Sequence, residues 1–149
     1  MTFSNQTNGI ATGYTPTAED LQSLESWFAH YDERAEKSDA EGMENMGMFP
    51  MNLVSDDSKG NGVAAQWTRE QYLQMLTHEV PDGSADLKTE SVRTPVFLSA
   101  QLAVVFTEAT LTMNGETMKM HYADVLVKSN GEWAYQTMVQ SGWGDAMKG

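Results

Sequence analysis

The chain has 149 residues, 40% hydrophobic and 20% charged, with a formal net charge of −12 and no cysteine. Such a balance fits one globular domain, which at this length buries roughly 70% of the surface its unfolded chain exposes. The missing thiols exclude disulfides, thiolate metal sites and cysteine nucleophiles. The acidity argues against nucleic acid and anionic membranes as partners, since both are held by Lys and Arg.

Residues 1–14 are rich in Ser, Asn, Thr and Gly and read as a flexible arm. They carry neither the basic nor the apolar block of a signal peptide, and no later run approaches the roughly 18 apolar residues of a membrane span. A cytoplasmic protein is expected, with residues 15–145 as its single domain. Thr15-Pro16 or Thr17 opens the first helix, with Asp20 closing a Thr-x-x-Asp box. Leu21, Leu24, Trp27, Phe28, Tyr31 and Ala35 then form one apolar stripe, with His30 on the solvent side. Ser38-x-x-Glu41 caps a short second helix that turns Met43 and Met46 inward, and Phe49-Pro50 stops it. A strand over Met51 to Val54, a turn-rich loop from Asp56 to Gly62 and a brief strand over Val63 to Trp67 follow. Thr68-x-x-Gln71 opens a third helix through Tyr72, Met75, Leu76 and Val80, ended by Pro81-Asp82-Gly83. His78 sits near its C-terminus, where a positive charge is favoured.

From Asp86 the period changes to two, predicting strands at about 86–99, 101–113, 116–128 and 132–142. Asn114-Gly115 and Asn130-Gly131 are type I′ hairpin signals, because that turn needs positive φ at both central residues. Two-residue turns place Glu108 opposite His121 and His121 opposite Gln140. That polar row shares a face with Leu102, Val104, Phe106, Ala123, Val125, Val127, Ala134 and Met138, which suggests a pocket for a small apolar molecule. Glu108 and His121 could act there as an acid–base pair, with burial raising the Glu108 pKa and the paired imidazole opposing it. The same two residues also fit a plain cross-strand ion pair. Trp27 and Tyr31 read either as core or as ligand contacts. The opposite face carries Thr107, Tyr122, Asp124, Trp133, Tyr135 and Thr137, too apolar to stay wet, and suggests a partner.

Helices first and antiparallel strands after them define an α+β fold, three N-terminal helices packed on a curved, mostly antiparallel sheet. This order resembles the nuclear transport factor 2-like superfamily, whose members include ketosteroid isomerases, SnoaL-like polyketide cyclases and many bacterial proteins with a cystatin-like α+β cone. The resemblance spans Thr15 to Trp143. It rests on the stripe through Tyr31, the segment Ser38-Asp39-Ala40-Glu41-Gly42-Met43, and the ending Asp124 to Trp133 with its hairpin glycine just before a tryptophan. It implies a cavity between helices and sheet, with Ala123, Gln136, Met138 and Gln140 facing it. The habit of the superfamily further implies a homodimer, through the outer sheet face bearing Tyr122, Trp133 and Tyr135.

Of the isomerase chemistry, the oxyanion-hole tyrosine maps to Tyr31, eight residues before Asp39. The second donor falls on Ala123, which has no proton to give, and the general base falls near Ser55, with Asp56 and Asp57 in a surface turn. The expected site is therefore Trp27, Tyr31, Phe106, Glu108, His121, Gln136, Met138 and Gln140. It is read as a binding pocket, as an acid–base site built on Glu108 and His121, or as part of a non-catalytic association module. No cofactor is expected. His30, His78 and His121 lie on separate elements without metal-ligand spacing, and Gly60-Asn61-Gly62 is a turn rather than a phosphate loop. No Gly-x-Ser-x-Gly elbow occurs. The eleven methionines either fill irregular core space or line an adaptable apolar pocket.

Overall fold

The first long helix, α1 (Ala18–Glu36), starts where its cap allows. The Thr17 hydroxyl accepts from the Asp20 N–H at 3.1 Å, and the Asp20 carboxylate accepts from the Thr17 N–H at 2.9 Å. This reciprocal box satisfies two donors that the helix itself leaves free. Leu24 and Phe28 are fully buried beneath α1, as the stripe requires. The short helix α2 (Ala40–Glu44) is capped by Asp39, whose carboxylate accepts from the Gly42 N–H, and not by Ser38. Ser38 takes a positive φ of 54° at the end of α1, so the second helix cannot begin until one residue later. Met43 and Met46 point inward as expected.

The computed structural model describes residues 2–3, 11–79 and 88–147. Val80, Pro81-Asp82-Gly83 and the His78 side chain lie outside the described residues. Strands β2 (Gly47–Asp56) and β3 (Gly62–Trp67) form an antiparallel pair, longer than the sequence pattern suggested. α3 (Arg69–Glu79) follows, with Thr68 and Gln71 bonded reciprocally at its start. The meander is β4 (Lys88–Ser99), β5 (Leu102–Met113), β6 (Glu116–Ser129) and β7 (Glu132–Gln140), and a short α4 (Gly144–Met147) ends the described chain. With β1 (Thr2–Phe3) the sheet runs β1-β4-β5-β6-β7-β2-β3. Only β1–β4 and β2–β7 are parallel pairs among the described strands. The fold is α+β, with α1 and α2 between β1 and β2 and α3 inserted after the β2–β3 hairpin. Parts of the stretch read as an arm are tied to the domain: β1 pairs with β4, the Thr12 hydroxyl donates to the Phe97 carbonyl at 2.6 Å, and Tyr14 donates to Asp20 at 2.6 Å.

Both Asn-Gly turns have positive φ at both residues, 53° and 81° at Asn114-Gly115 and 52° and 81° at Asn130-Gly131. The first hairpin keeps perfect two-residue register, pairing Glu108 with His121 and Thr107 with Tyr122. The second starts in register at Ser129 and Glu132, then slips between Val125 and Leu126. Beyond that bulge Gln140 pairs with Tyr122 and not with His121. One inserted residue on β7 thus moves Met138 and Gln140 onto the face of Trp133 and Tyr135.

The helices cover the opposite face from the one expected. Val105, Leu126, Trp133, Tyr135 and Met138 pack with Leu24, Phe28 and Tyr72 in one core. The Trp133 indole N–H donates to the Ser23 hydroxyl of α1 at 3.1 Å, and the Tyr135 ring meets Trp27 edge-on at 4.8 Å. Trp133 and Tyr135, expected at a dimer interface, are 5% and 3% exposed and belong to the core. Phe106, by contrast, is 49% exposed, with Leu102, Val92 and Val139 open beside it. Cross-strand pairing decides which residues share a face, but not which face the helices choose. Here they choose the one whose large aromatic rings bury the most apolar area.

Candidate binding pocket on the inner sheet face

A cavity of about 310 Å3 opens between α1, α3 and the inner face of β6 and β7. Tyr31 enters it from α1, and Tyr72, Met75 and Leu76 from α3; Met120, Tyr122, Asp124, Tyr135, Met138 and Gln140 come from the sheet, with Trp143 closing one end. Of the expected site residues, Tyr31, Met138 and Gln140 line this cavity. Trp27 lies one layer behind, stacked on Tyr31 at 5.8 Å. Gln136 is the extra residue at the bulge; its side chain reaches Asn52 and the Pro50 carbonyl instead, each at 3.4 Å.

Glu108 and His121 do meet, at 3.1 Å, but on the outer face. The imidazole is 70% exposed, and Lys119 adds a second contact to the same carboxylate at 3.4 Å. Hydrogen bonds from His121 and then Lys119 hold the Glu108 carboxyl below its usual pKa. That is the reverse of the rise expected from burial, because the half-exposed Glu108 side chain is too little desolvated to outweigh those bonds. Water competes for both partners of such a pair, so it does little either for stability or for tuning a proton. The groove around it, about 620 Å3, is open and holds Val92, Phe106, Ala123 and Val139.

The inner cavity holds the more consequential acid, which sequence reasoning placed on the wrong side of the sheet. Asp124 is 4% exposed, and among the described residues its carboxyl has no hydrogen-bond partner. Burial pushes its pKa up to about 7, with the Arg93 charge pulling weakly the other way. Desolvation penalises the charged form, and no donor compensates it. The surrounding tyrosines respond to the same burial. Tyr72 is raised to about 12, Tyr31 and Tyr135 well above their usual value, and Tyr122 upward as well. All four hydroxyls therefore stay neutral near pH 7, and Asp124 is poised there between its two forms.

Arg93, also unremarked in the sequence, supports this face from β4. Its guanidinium bonds both oxygens of Asp32 on α1, at 2.7 and 2.8 Å, and lies 4.2 Å from the centre of the Phe28 ring. This fork-to-fork pairing fixes α1 against the sheet. Arg93 pairs across β4–β5 with Thr107, which pairs with Tyr122, which pairs with Gln140. A polar row thus crosses four strands, one residue out of step with the row predicted on the other face. Among the described residues the Arg93 Nε and Thr107 Oγ1 atoms are buried without partners. No group of three or more metal-ligating side chains occurs among the described residues, and no described helix is long and apolar enough to cross a membrane.

Comparison with known proteins bears on the fold. No family model matches the sequence, and no curated protein matches it. Solved structures do match. A nuclear transport factor 2-like protein of unknown function from Shewanella oneidensis superposes with a TM-score of 0.64 at 15% identity, over 82% of this chain and 98% of that one. A domain of unknown function with a cystatin-like fold from Nostoc punctiforme gives 0.63 at 13% identity, over 85% and 78%. A ketosteroid isomerase-like protein from Erwinia carotovora atroseptica gives 0.55 at 16% identity, over 84% and 97%. The fold is the nuclear transport factor 2-like, cystatin-like α+β fold. Identity this low speaks for architecture and leaves activity to be argued from the site.

Proposed function

We propose that the protein binds a small, largely apolar molecule in the inner cavity, anchored by Asp124 and the tyrosine hydroxyls around it. The observation that carries this is a buried carboxyl, without a hydrogen-bond partner among the described residues, that opens into a cavity walled by Tyr31, Tyr72, Met75, Met120, Tyr122 and Met138. Few convergent polar groups in an apolar cavity is the usual form of a ligand site, and three methionines let the walls adapt. A thermal-shift screen of small aromatic ketones and amines tests it. Hits should raise the melting temperature with concentration, and His121→Ala should leave those shifts intact. Loss of every shift in His121→Ala would return the site to the outer face.

A second reading, acid–base catalysis, is favoured by the burial of Asp124, which pushes its pKa up to about 7 and would let it both give and take a proton near neutral pH. Relatives in fold include a protein described as ketosteroid isomerase-like. In this reading Asp124 replaces the Glu108–His121 pair as the proton carrier, with Tyr31 or Tyr72 donating to a developing oxyanion.

The outer face supports homodimerisation. Phe106, Leu102, Val92 and Val139 are 49%, 43%, 44% and 38% exposed, and an apolar surface of that extent is usually covered. Light scattering should then report twice 16.5 kDa, and a mass of 16.5 kDa at micromolar concentration would count against it.

A further inference from the structure

The charges around the pocket are one-sided. Among the described residues that line it, Asp124 is the only charged side chain, and there is no Lys, Arg or His. The nearest cation, Arg93, has its two terminal nitrogens committed to Asp32. The remaining walls are four tyrosines, a tryptophan, three methionines, Leu76, Val139 and Gln140. An anionic ligand would meet a carboxyl in a chain of net charge −12. A wholly apolar ligand would leave that carboxyl buried and unpaired.

Building on the pocket reading, we propose that the cavity takes a small organic cation, an alkylated or arylalkyl ammonium ion, with Asp124 as its counter-ion and the aromatic walls as its enclosure. An alkylated ammonium spreads its charge over poorly hydrated CH groups, so it leaves water more readily than a lysine head. Aromatic rings attract it through their quadrupoles, and tyrosine oxygens add further negative potential. The acidic net charge helps draw cations toward the chain.

Binding would be linked to protons, because the cation needs Asp124 ionised. The titratable and charged groups facing Asp124 are Tyr31 on α1, Tyr72 on α3, Tyr122 on β6, Tyr135 on β7 and Arg93 on β4, itself paired to Asp32 of α1. The tyrosines stay neutral and Arg93 stays charged between pH 6 and 8, so Asp124 alone among them changes state. With its pKa at about 7, cation affinity should rise about tenfold from pH 6 to pH 8. A neutral carbonyl ligand accepting a proton from Asp124 would show the opposite trend.

Titration calorimetry on the full chain at pH 6, 7 and 8 tests this with two probes: benzyltrimethylammonium, whose charge does not titrate, and neutral acetophenone. The expected result is benzyltrimethylammonium binding that tightens about tenfold across the series. In Asp124→Asn it should weaken at least about tenfold at pH 8 and lose its pH dependence. A cooperative melt of Asp124→Asn establishes that the variant is folded; should it fail to fold, the wild-type pH series decides alone. If acetophenone binds and the ammonium does not, the pocket reading stands and the cation inference falls. Ammonium binding that is independent of pH, or unchanged in Asp124→Asn, also overturns the inference. If neither probe binds, the pocket reading falls and takes the inference with it.

Discussion

Replacing Asp124 with Asn should stabilise the protein at and above neutral pH, although the change removes a charge from the heart of the fold. The carboxyl titrates at 3.8 when unfolded and at about 7 when buried. Between those values the native state holds a proton that the unfolded state has released, so stability falls as pH rises through that window. The shift is about three units at ~1.4 kcal/mol each, giving about 4 kcal/mol lost by pH 8. Asn, which cannot ionise, escapes that loss. Asp20, Glu33 and Glu108 have lowered pKa values and contribute the opposite slope at acid pH, but they cancel in the difference between the two proteins. Urea denaturation of both, from pH 4 to pH 8, should therefore show near-equal stability at pH 4 and a widening advantage for Asp124→Asn up to about pH 7. A difference that stays flat across the range would refute the reasoning, because Asp124 would then not be desolvated.

Asp32→Ala should cost about 3–5 kcal/mol by denaturation, because it strands the Arg93 charge in the core. Arg93→Met should cost less, since the Asp32 side chain is 30% exposed and can be rehydrated. A charged residue in the outer face, Phe106→Asp, should yield a 16.5 kDa species by light scattering while the far-ultraviolet spectrum stays unchanged. Gly131→Val should lose about 1 kcal/mol or more, because it forces a β-branched residue to the φ of 81° that the hairpin needs. His121→Ala should leave the melting temperature where it was, since its pair with Glu108 stands in water.

Elements and pairing were legible in the sequence because local chemistry determines them. Thr17, Thr68 and the two Asn-Gly pairs each act within four residues, so the helix starts and the Glu108–His121 register followed directly. Ser38 misled only because the end of α1 demanded a positive φ there. Which face is inside is a long-range matter. Both faces of the meander alternate apolar residues, and the deciding contacts join residues far apart: Trp133 to Ser23, Tyr135 to Trp27, Arg93 to Asp32. Asp124, lying between Ala123 and Val125 on an apolar strand, is the sequence's one mark of the buried acid of the cavity. Glu108 and His121, facing each other across β5 and β6, give the stronger local signal although they stand on the outer face. The β7 bulge carries no sequence mark beyond Gln136 itself, yet it is what brings Met138 and Gln140 into the cavity.

Methyl NMR of methionine-labelled protein, titrated with acetophenone and with benzyltrimethylammonium, tests the location of the site most directly. Met75, Met120 and Met138 line the inner cavity, whereas the His121 side chain stands 70% exposed on the outer face. An inner site predicts that a bound probe shifts these three methyl signals and leaves the His121 ring unmoved. Shifts confined to the His121 ring would place the site on the outer face and contradict it.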